Sequence, residues 1–194
     1  MMEQQQMHDF GDGMGPVPAH QHPNGGGWVA DTAHVDATAY VGPNARVYGN
    51  ARVYGNAWVS GDACVFGDAR VYGNARVYGN AWVSGDAQVS GNAWVSGDAQ
   101  VSGSAWVYGN ARVSGNAQVY GNAWVFGDAR CSITPVCITG GEYNITITDQ
   151  HIQVGCHCHT TDEWRTLTPQ PVPFLESIRA HVLAIAALHQ ARVQ

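Results

Sequence analysis

The densest group of chemically capable side chains lies near the C-terminus, where Gly155-Cys156-His157-Cys158-His159 follows closely on His151. Thiolate and imidazole together suit zinc, which makes His151, Cys156, Cys158 and His159 the candidate metal ligands. Cys156 or Cys158 with a neighbouring histidine is also the only plausible nucleophile pair in the chain. Neither chemistry has its usual frame. Cys-x-Cys-x-His is tighter than the ligand spacing of ordinary zinc sites. On a strand, Cys156 and Cys158 face one way while His157 and His159 face the other. Ordinary packing of buried thiols, with histidine near a helix start, is the simpler expectation, and no cofactor is implied. The five cysteines, an odd number behind an N-terminus with neither a basic start nor an apolar run, read as free thiols or ligands and not as a disulfide framework.

A second chemical resource runs through the middle of the chain. All nine basic residues are arginine, and those of the central region alternate with Trp and Tyr. Guanidinium groups fork onto carboxylates and phosphates and also stack on aromatic rings. What positions them is a repeat. Valine recurs every six residues from Val29 to Val125, seventeen times without a failure, and alanine keeps the same step from Ala33 to Ala129. The unit reads Ala-x-Val-x-Gly-[Asn/Asp], as in Ala45-Arg46-Val47-Tyr48-Gly49-Asn50. Ala and Val point inward, and Arg, Trp, Gln, Tyr and Ser point outward.

Gly-Asn between short alternating segments also fits a hairpin turn. A two-residue loop at Gly49-Asn50 pairs Val47 with Arg52, however, and directly paired residues share a face. Every face would then mix core and solvent residues. Coiling in one sense instead stacks Val on Val, Ala on Ala and Gly on Gly, and only that arrangement satisfies the pattern.

These hexads resemble the left-handed parallel β-helix of the hexapeptide-repeat superfamily, in which three hexads make one triangular coil. The resemblance implies an all-β fold; the seventeen hexads give five to six coils, about 27 Å long at a strand spacing of ~4.8 Å, and the residues after Cys131 read as a small C-terminal α+β cap. The unbroken Val-x-Gly-[Asn/Asp]-Ala wording, entered through Gly26-Gly27-Trp28-Val29, is most similar to repeat proteins of phages and prophages. Trimers are usual in the superfamily. Its best-known enzymes are acyltransferases, which use a histidine base and a loop thrown out of the coil. Between Val35 and Arg130 this sequence has no histidine and no lengthened hexad, nor the histidine set of the zinc carbonic anhydrases of that fold. A non-catalytic structural or binding protein is therefore expected, with CoA-dependent acyl transfer as the alternative.

Folding the repeat at three hexads per coil sorts the outward residues onto three faces. The first carries Arg52, Tyr54, Arg70, Tyr72, Trp106, Tyr108, Trp124 and Phe126; it is the most aromatic and is the expected homo-oligomer, trimeric, interface. The second interleaves Trp58, Arg76, Trp94 and Arg112, the expected site for a planar anionic small molecule. The third, with Arg46, Cys64, Trp82, Gln100 and Gln118, is blander.

Residues 1–26 hold little apolar content and are expected to be flexible unless a partner orders them. Residues 27–131 are the β-helix, 132–168 a small hairpin and short-helix module, and 169–194 a C-terminal helix. In the module, Val136–Thr139, Tyr143–Thr148 and His151–Val154 read as strands, Thr160 with Glu163 offers a capping box, and Pro169–Pro173 breaks the chain before the stripe Leu175, Ile178, Val182, Ile185, Leu188. Either end is placed to join a larger assembly. The net charge of −6 and the absence of lysine argue against general nucleic-acid binding. With no apolar run long enough to span a membrane, a cytoplasmic site of synthesis, with incorporation into a phage particle, is the expected location.

Overall fold

A computed structural model describes residues 5–139, 143–166 and 173–193, with side chains throughout except at 173–178. From Trp28–Ala30 onward, two-residue strands recur at six-residue steps, from His34–Val35 to Arg130–Cys131. They form three sheets of six parallel strands, one of which also carries two antiparallel N-terminal strands. The rod is a parallel β-solenoid of about six turns. The register is that of the stacked hexads: Arg52 pairs with Arg70 and Val53 with Val71, one coil on.

The core contains only small side chains. Every Val from Val41 to Val125 and every Ala from Ala39 to Ala129 is at most 1% exposed. Val fits because its branched side chain suits a pleated strand and fills the narrow prism, and each full burial contributes about 1.5–3 kcal/mol. The corners need glycine for two reasons. Gly61 has a φ of +67°, and a Cβ there would stand 2.8 Å from the carbonyl oxygen of Gly79 on the next coil. The Asn and Asp beside these glycines bond along the axis, most continuously where Asn74 donates to Asn92, Asn92 to Asn110 and Asn110 to Asp128, at 3.1–3.2 Å.

Both ends of the rod are covered. Residues 5–26, expected to be flexible, instead form strands Met7–His8 and Val17–Gln21, which pair with each other and with Trp28–Ala30. Phe10 is 2% exposed and stacks on Tyr48, which stacks on Phe66, while His8 stacks on Trp28. Burial on rings that are distant in sequence, together with pairing to a sheet edge, supplies the order that local composition does not. Asn24 closes the next edge, accepting from Val41 N–H at 3.0 Å and donating from its side chain to Ala39 O at 2.9 Å.

The C-terminal end is closed by side chains that replace a seventh coil. Along the rod, outward residues donate to the Ala and Val carbonyls of the following coil, as Tyr54 N–H does to Val71 O at 3.0 Å. On the last coil those partners come from elsewhere. Gln153, 1% exposed, sets its amide nitrogen toward Trp124 O and accepts from Phe126 N–H at 3.0 Å, which are the two bonds a following Val main chain makes in a parallel ladder. Asp149 does the same on the second face: its N–H donates to Arg130 O at 3.0 Å and its carboxylate accepts from Ser132 N–H at 2.8 Å. Thr146 accepts from Trp124 N–H and Thr134 from Gln118 N–H.

These residues belong to a four-stranded antiparallel sheet, Val136–Ile138, Ile145–Ile147, His151–Val154 and His157–Thr160, followed by α1 (Thr161–Thr166) and α2 (Pro173–Gln190). The last strand, His157–Thr160, adds to the three read from sequence. The capping box forms, with Thr160 N–H donating to Glu163 at 2.7 Å and Glu163 N–H to Thr160 Oγ1 at 3.2 Å. Ile145, Ile147, Ile152, Val154, Trp164, Val182 and Ala186 make a second core. Of the expected helical stripe, Val182 is buried, Ile185 packs against that core and Leu188 is 73% exposed. The side chains of Leu175 and Ile178, and most of the Pro169–Pro173 break, lie outside the described residues.

Candidate functional site

The outward residues fall into the three files that the six-residue step requires. On the second face the pairs run Tyr40, Trp58, Arg76, Trp94, Arg112, Arg130, each in register with the next. Strand spacing sets neighbouring side chains about 4.8 Å apart, close enough for rings and guanidiniums to stack. Tyr40 lies on Trp58 with ring centroids 3.8 Å apart. Arg76 and Arg112 flank Trp94, their guanidinium carbons 5.3 and 4.8 Å from its ring centre. Both neighbours of Trp94 along the rod are thus already stacked on it. Trp58, 44% exposed, borders a shallow hollow over Ser60, lined also by Arg76, Tyr78 and Trp94. The hollow exists because serine stands where the next coil has tyrosine.

On the first face, His34, Arg52, Arg70, Gln88, Trp106 and Trp124 form one file. Its rings pair with one another: Tyr54 with Tyr72, Trp106 with Trp124, Tyr108 with Phe126, at centroid distances of 5.0–5.5 Å. Of these only Trp106 is exposed by more than a third, at 39%. The third face, expected to be bland, divides in two. Its first half is covered by the N-terminal hairpin, and Arg46 donates to Phe10 O at 2.9 Å. Cys64, although outward by pattern, is 2% exposed, and burial pushes its thiol pKa up. Its second half presents Trp82 and Tyr120, the two most exposed aromatic rings of the rod.

Charge is distributed unevenly. Among the described residues, Arg52, Arg70, Arg76, Arg112 and Arg130 make no ion pair, whereas His20, His34, His159 and Arg165 each have a carboxylate partner.

The C-terminal candidates do not converge. Cys156 lies in the turn after Val154 and is exposed, while Cys158 pairs with Gln153 across the sheet and points its thiol at Phe126 O, 3.6 Å away. Burial raises the Cys158 pKa and lowers that of His151. A thiol held protonated is a poor nucleophile. His159 reaches toward Glu163 at 4.0 Å. Among the described residues no three His, Cys, Asp or Glu side chains form a group able to hold a metal ion. His151, Cys156, Cys158 and His159 are placed as parts of the rod's cover and not as one site. Sequence reasoning missed the roles of Gln153 and Asp149; a glutamine between Ile152 and Val154 in an apolar strand was the available signal.

Five segments of the rod, residues 45–61, 69–85, 87–103, 105–121 and 117–132, match the family model described as YdcK Beta solenoid repeat. No curated protein and no solved structure matches the chain. No helix among the described residues is long and apolar enough to cross a membrane. The chain is a β-solenoid repeat protein, similar along its rod to the YdcK repeats.

Proposed function

We propose that this protein is a non-catalytic binding rod whose second face takes an anionic group at the hollow between Trp58 and Arg76. The observation that carries this reading is the unpaired guanidinium of Arg76 beside the exposed ring of Trp58, over a gap left by Ser60. A planar ring fits against Trp58, with its acidic group forked by Arg76. Trp94 is a wall of this site and not a platform, since Arg76 and Arg112 already stack on it.

Self-association belongs to the same proposal, in a trimer as the resemblance implies. We centre it on the third face, where Trp82, Gln100, Gln118 and Tyr120 are outward, uncharged and open, in place of the first face expected from sequence. The left-handed sense of the coil and incorporation into a phage particle also belong to this reading. Acyl transfer has less support, because the outward files from Arg52 to Arg130 contain no histidine to serve as base.

Calorimetry with a panel of mononucleotides and aromatic carboxylates tests the binding site. Heat that is lost in Arg76→Ala and in Trp58→Ala supports it. Binding unaffected by both substitutions, or no heat from any member of the panel, removes it.

A further inference from the structure

The first face begins with a histidine where the next two coils carry arginine: its outer file runs His34, Arg52, Arg70, Gln88. Along the corner that leads into it, the eighteen-residue coil sets Thr32, Asn50 and Asp68 one above another. A hollow of about 630 Å³ opens between corner and file, lined by Thr32, His34, Asn50, Arg52, Tyr54 and Asp68. That is room enough for a small molecule.

Its polar walls hold spare bonding positions. Among the described residues, the exposed guanidinium of Arg52 makes no ion pair and no hydrogen bond. Asp68 accepts from the Asn50 amide at 3.3 Å through one carboxylate oxygen, and the other oxygen has no partner. His34 turns Nε2 toward Asp36 at 3.3 Å, and Gly55 N–H donates to the second oxygen of Asp36 at 3.1 Å. The imidazole is thereby held, with its Nδ1 unengaged. Arg52 and Asp68 are near each other and yet apart. Arg70 pairs with Arg52, and Asp68 precedes Arg70 by two residues. Their main chains are therefore at most about 8 Å apart, one strand spacing along the axis and two residues along the chain. Exposed opposite charges gain little by closing on each other, and the Asn50 amide holds the Asp68 carboxylate to the corner. A plain anion at Arg52 meets the repulsion of Asp68, and a plain cation at Asp68 meets that of Arg52. A ligand carrying both signs meets neither.

We propose that this hollow binds a small zwitterion of the α-amino-acid class, its carboxylate forked by Arg52 and its ammonium on the free oxygen of Asp68. His34 Nδ1 is left for a polar atom of the ligand's side chain. Tyr54, backed by Tyr72 at a centroid distance of 5.2 Å, is a firm wall beside it. The site stands apart from the Trp58–Arg76 hollow, whose lining of Trp58, Ser60, Arg76, Tyr78 and Trp94 holds no carboxylate and suits a plain anion.

The repeat supplies conservative variants. Glutamine occupies the Arg52 file at Gln88, and asparagine the Asp68 file at Asn50, so Arg52→Gln and Asp68→Asn introduce residues that equivalent positions already carry. Ligand-observed NMR at millimolar concentration screens the free amino acids against the full chain. The best of them is then titrated beside its N-acetyl and α-carboxamide derivatives, against wild type, Arg52→Gln, Asp68→Asn and Arg76→Ala, with circular dichroism to check each fold. The free amino acid should bind about tenfold or more tighter than either blocked form, the scale of one lost charge-assisted hydrogen bond. Arg52→Gln should weaken it by a similar factor and erase its advantage over the carboxamide, while its advantage over the N-acetyl form persists. Asp68→Asn should do the converse, and Arg76→Ala should change nothing. Failure of every amino acid to bind, blocked forms that bind as well as the free one, or variants that weaken all three ligands equally overturns the proposal. Binding lost in Arg76→Ala but kept in Arg52→Gln also overturns it, and assigns the ligand to the second-face hollow.

Discussion

Replacing Gln153 by leucine should loosen the C-terminal end of the rod while leaving its middle intact. Leucine fills nearly the same space but leaves Phe126 N–H and Trp124 O without partners beneath the cap. Each of the two orphaned main-chain groups costs about 1–3 kcal/mol, so the loss should be about 2–6 kcal/mol. Gln21→Leu is the control: the same chemical change at an exposed position that makes no side-chain bond, expected within about 0.5 kcal/mol of wild type. Denaturant unfolding measures both, and hydrogen exchange locates the effect. Protection of the Phe126 amide should collapse in Gln153→Leu, while that of Tyr54, bonded to Val71 O in mid-rod, should persist. Equal stabilities for the two variants, or unchanged protection at Phe126, would refute the idea that a side-chain amide stands in for a missing coil.

Other outcomes follow from the same geometry. Val83→Asp places an unpaired carboxylate in a fully buried file and should cost several kcal/mol, enough to prevent folding; a circular-dichroism melt resembling that of wild type would contradict the stacked core. Gly79→Ala forces a Cβ to within 2.9 Å of Gly97 N at a φ of +75° and should destabilise by about 1–3 kcal/mol, read from the shift in denaturation midpoint. Burial lowers the pKa of His189, 1% exposed with neither ring nitrogen bonded, below its ordinary 6.5. The unfolded chain therefore takes up this proton first, so its contribution is complete above pH 6.5 and declines as pH falls below that value. His189→Leu should flatten that limb of the stability profile. Alkylation at mild alkaline pH should label Cys156, which is exposed, and spare Cys131, whose thiol is fully buried and pushed well above its usual pKa; early labelling of Cys131 would mean that the cap opens readily.

The rod was legible because one short rule governs it. The six-residue step of Val and Ala determines which residues face inward, and register then places Arg76 beside Trp94 with no further information. What the step does not encode is how outward groups lean once neighbours compete for them. Arg76 and Arg112 turn onto Trp94, and Arg46 reaches back to Phe10, a contact between residues 36 apart in sequence. The N-terminal hairpin was illegible for the same reason: Val17–Gln21 has little strand character of its own and is ordered by an edge and an aromatic file elsewhere. The C-terminal cysteines and histidines are not brought together into one group among the described residues. Adjacent ligand types in a strand point to opposite sides, and the elements packed there place Phe126 O, not a second thiol, against Cys158.

The sameness of the buried files has a consequence for how such a chain changes over generations. Because every coil offers the next an identical Ala, Val and Gly surface, the core holds no memory of which hexad belongs where. Loss or gain of eighteen residues would shorten or lengthen the rod by one turn, about 4.8 Å, with both end covers still seated. Loss of six would leave the interior equally content yet rotate everything downstream by a third of a turn, re-dealing arginine, tryptophan and aspartate among the faces. The outward residues are thus a text written on an indifferent page: recombination between near-identical hexads can rearrange the display in single steps, and only what the faces bind can select among the results.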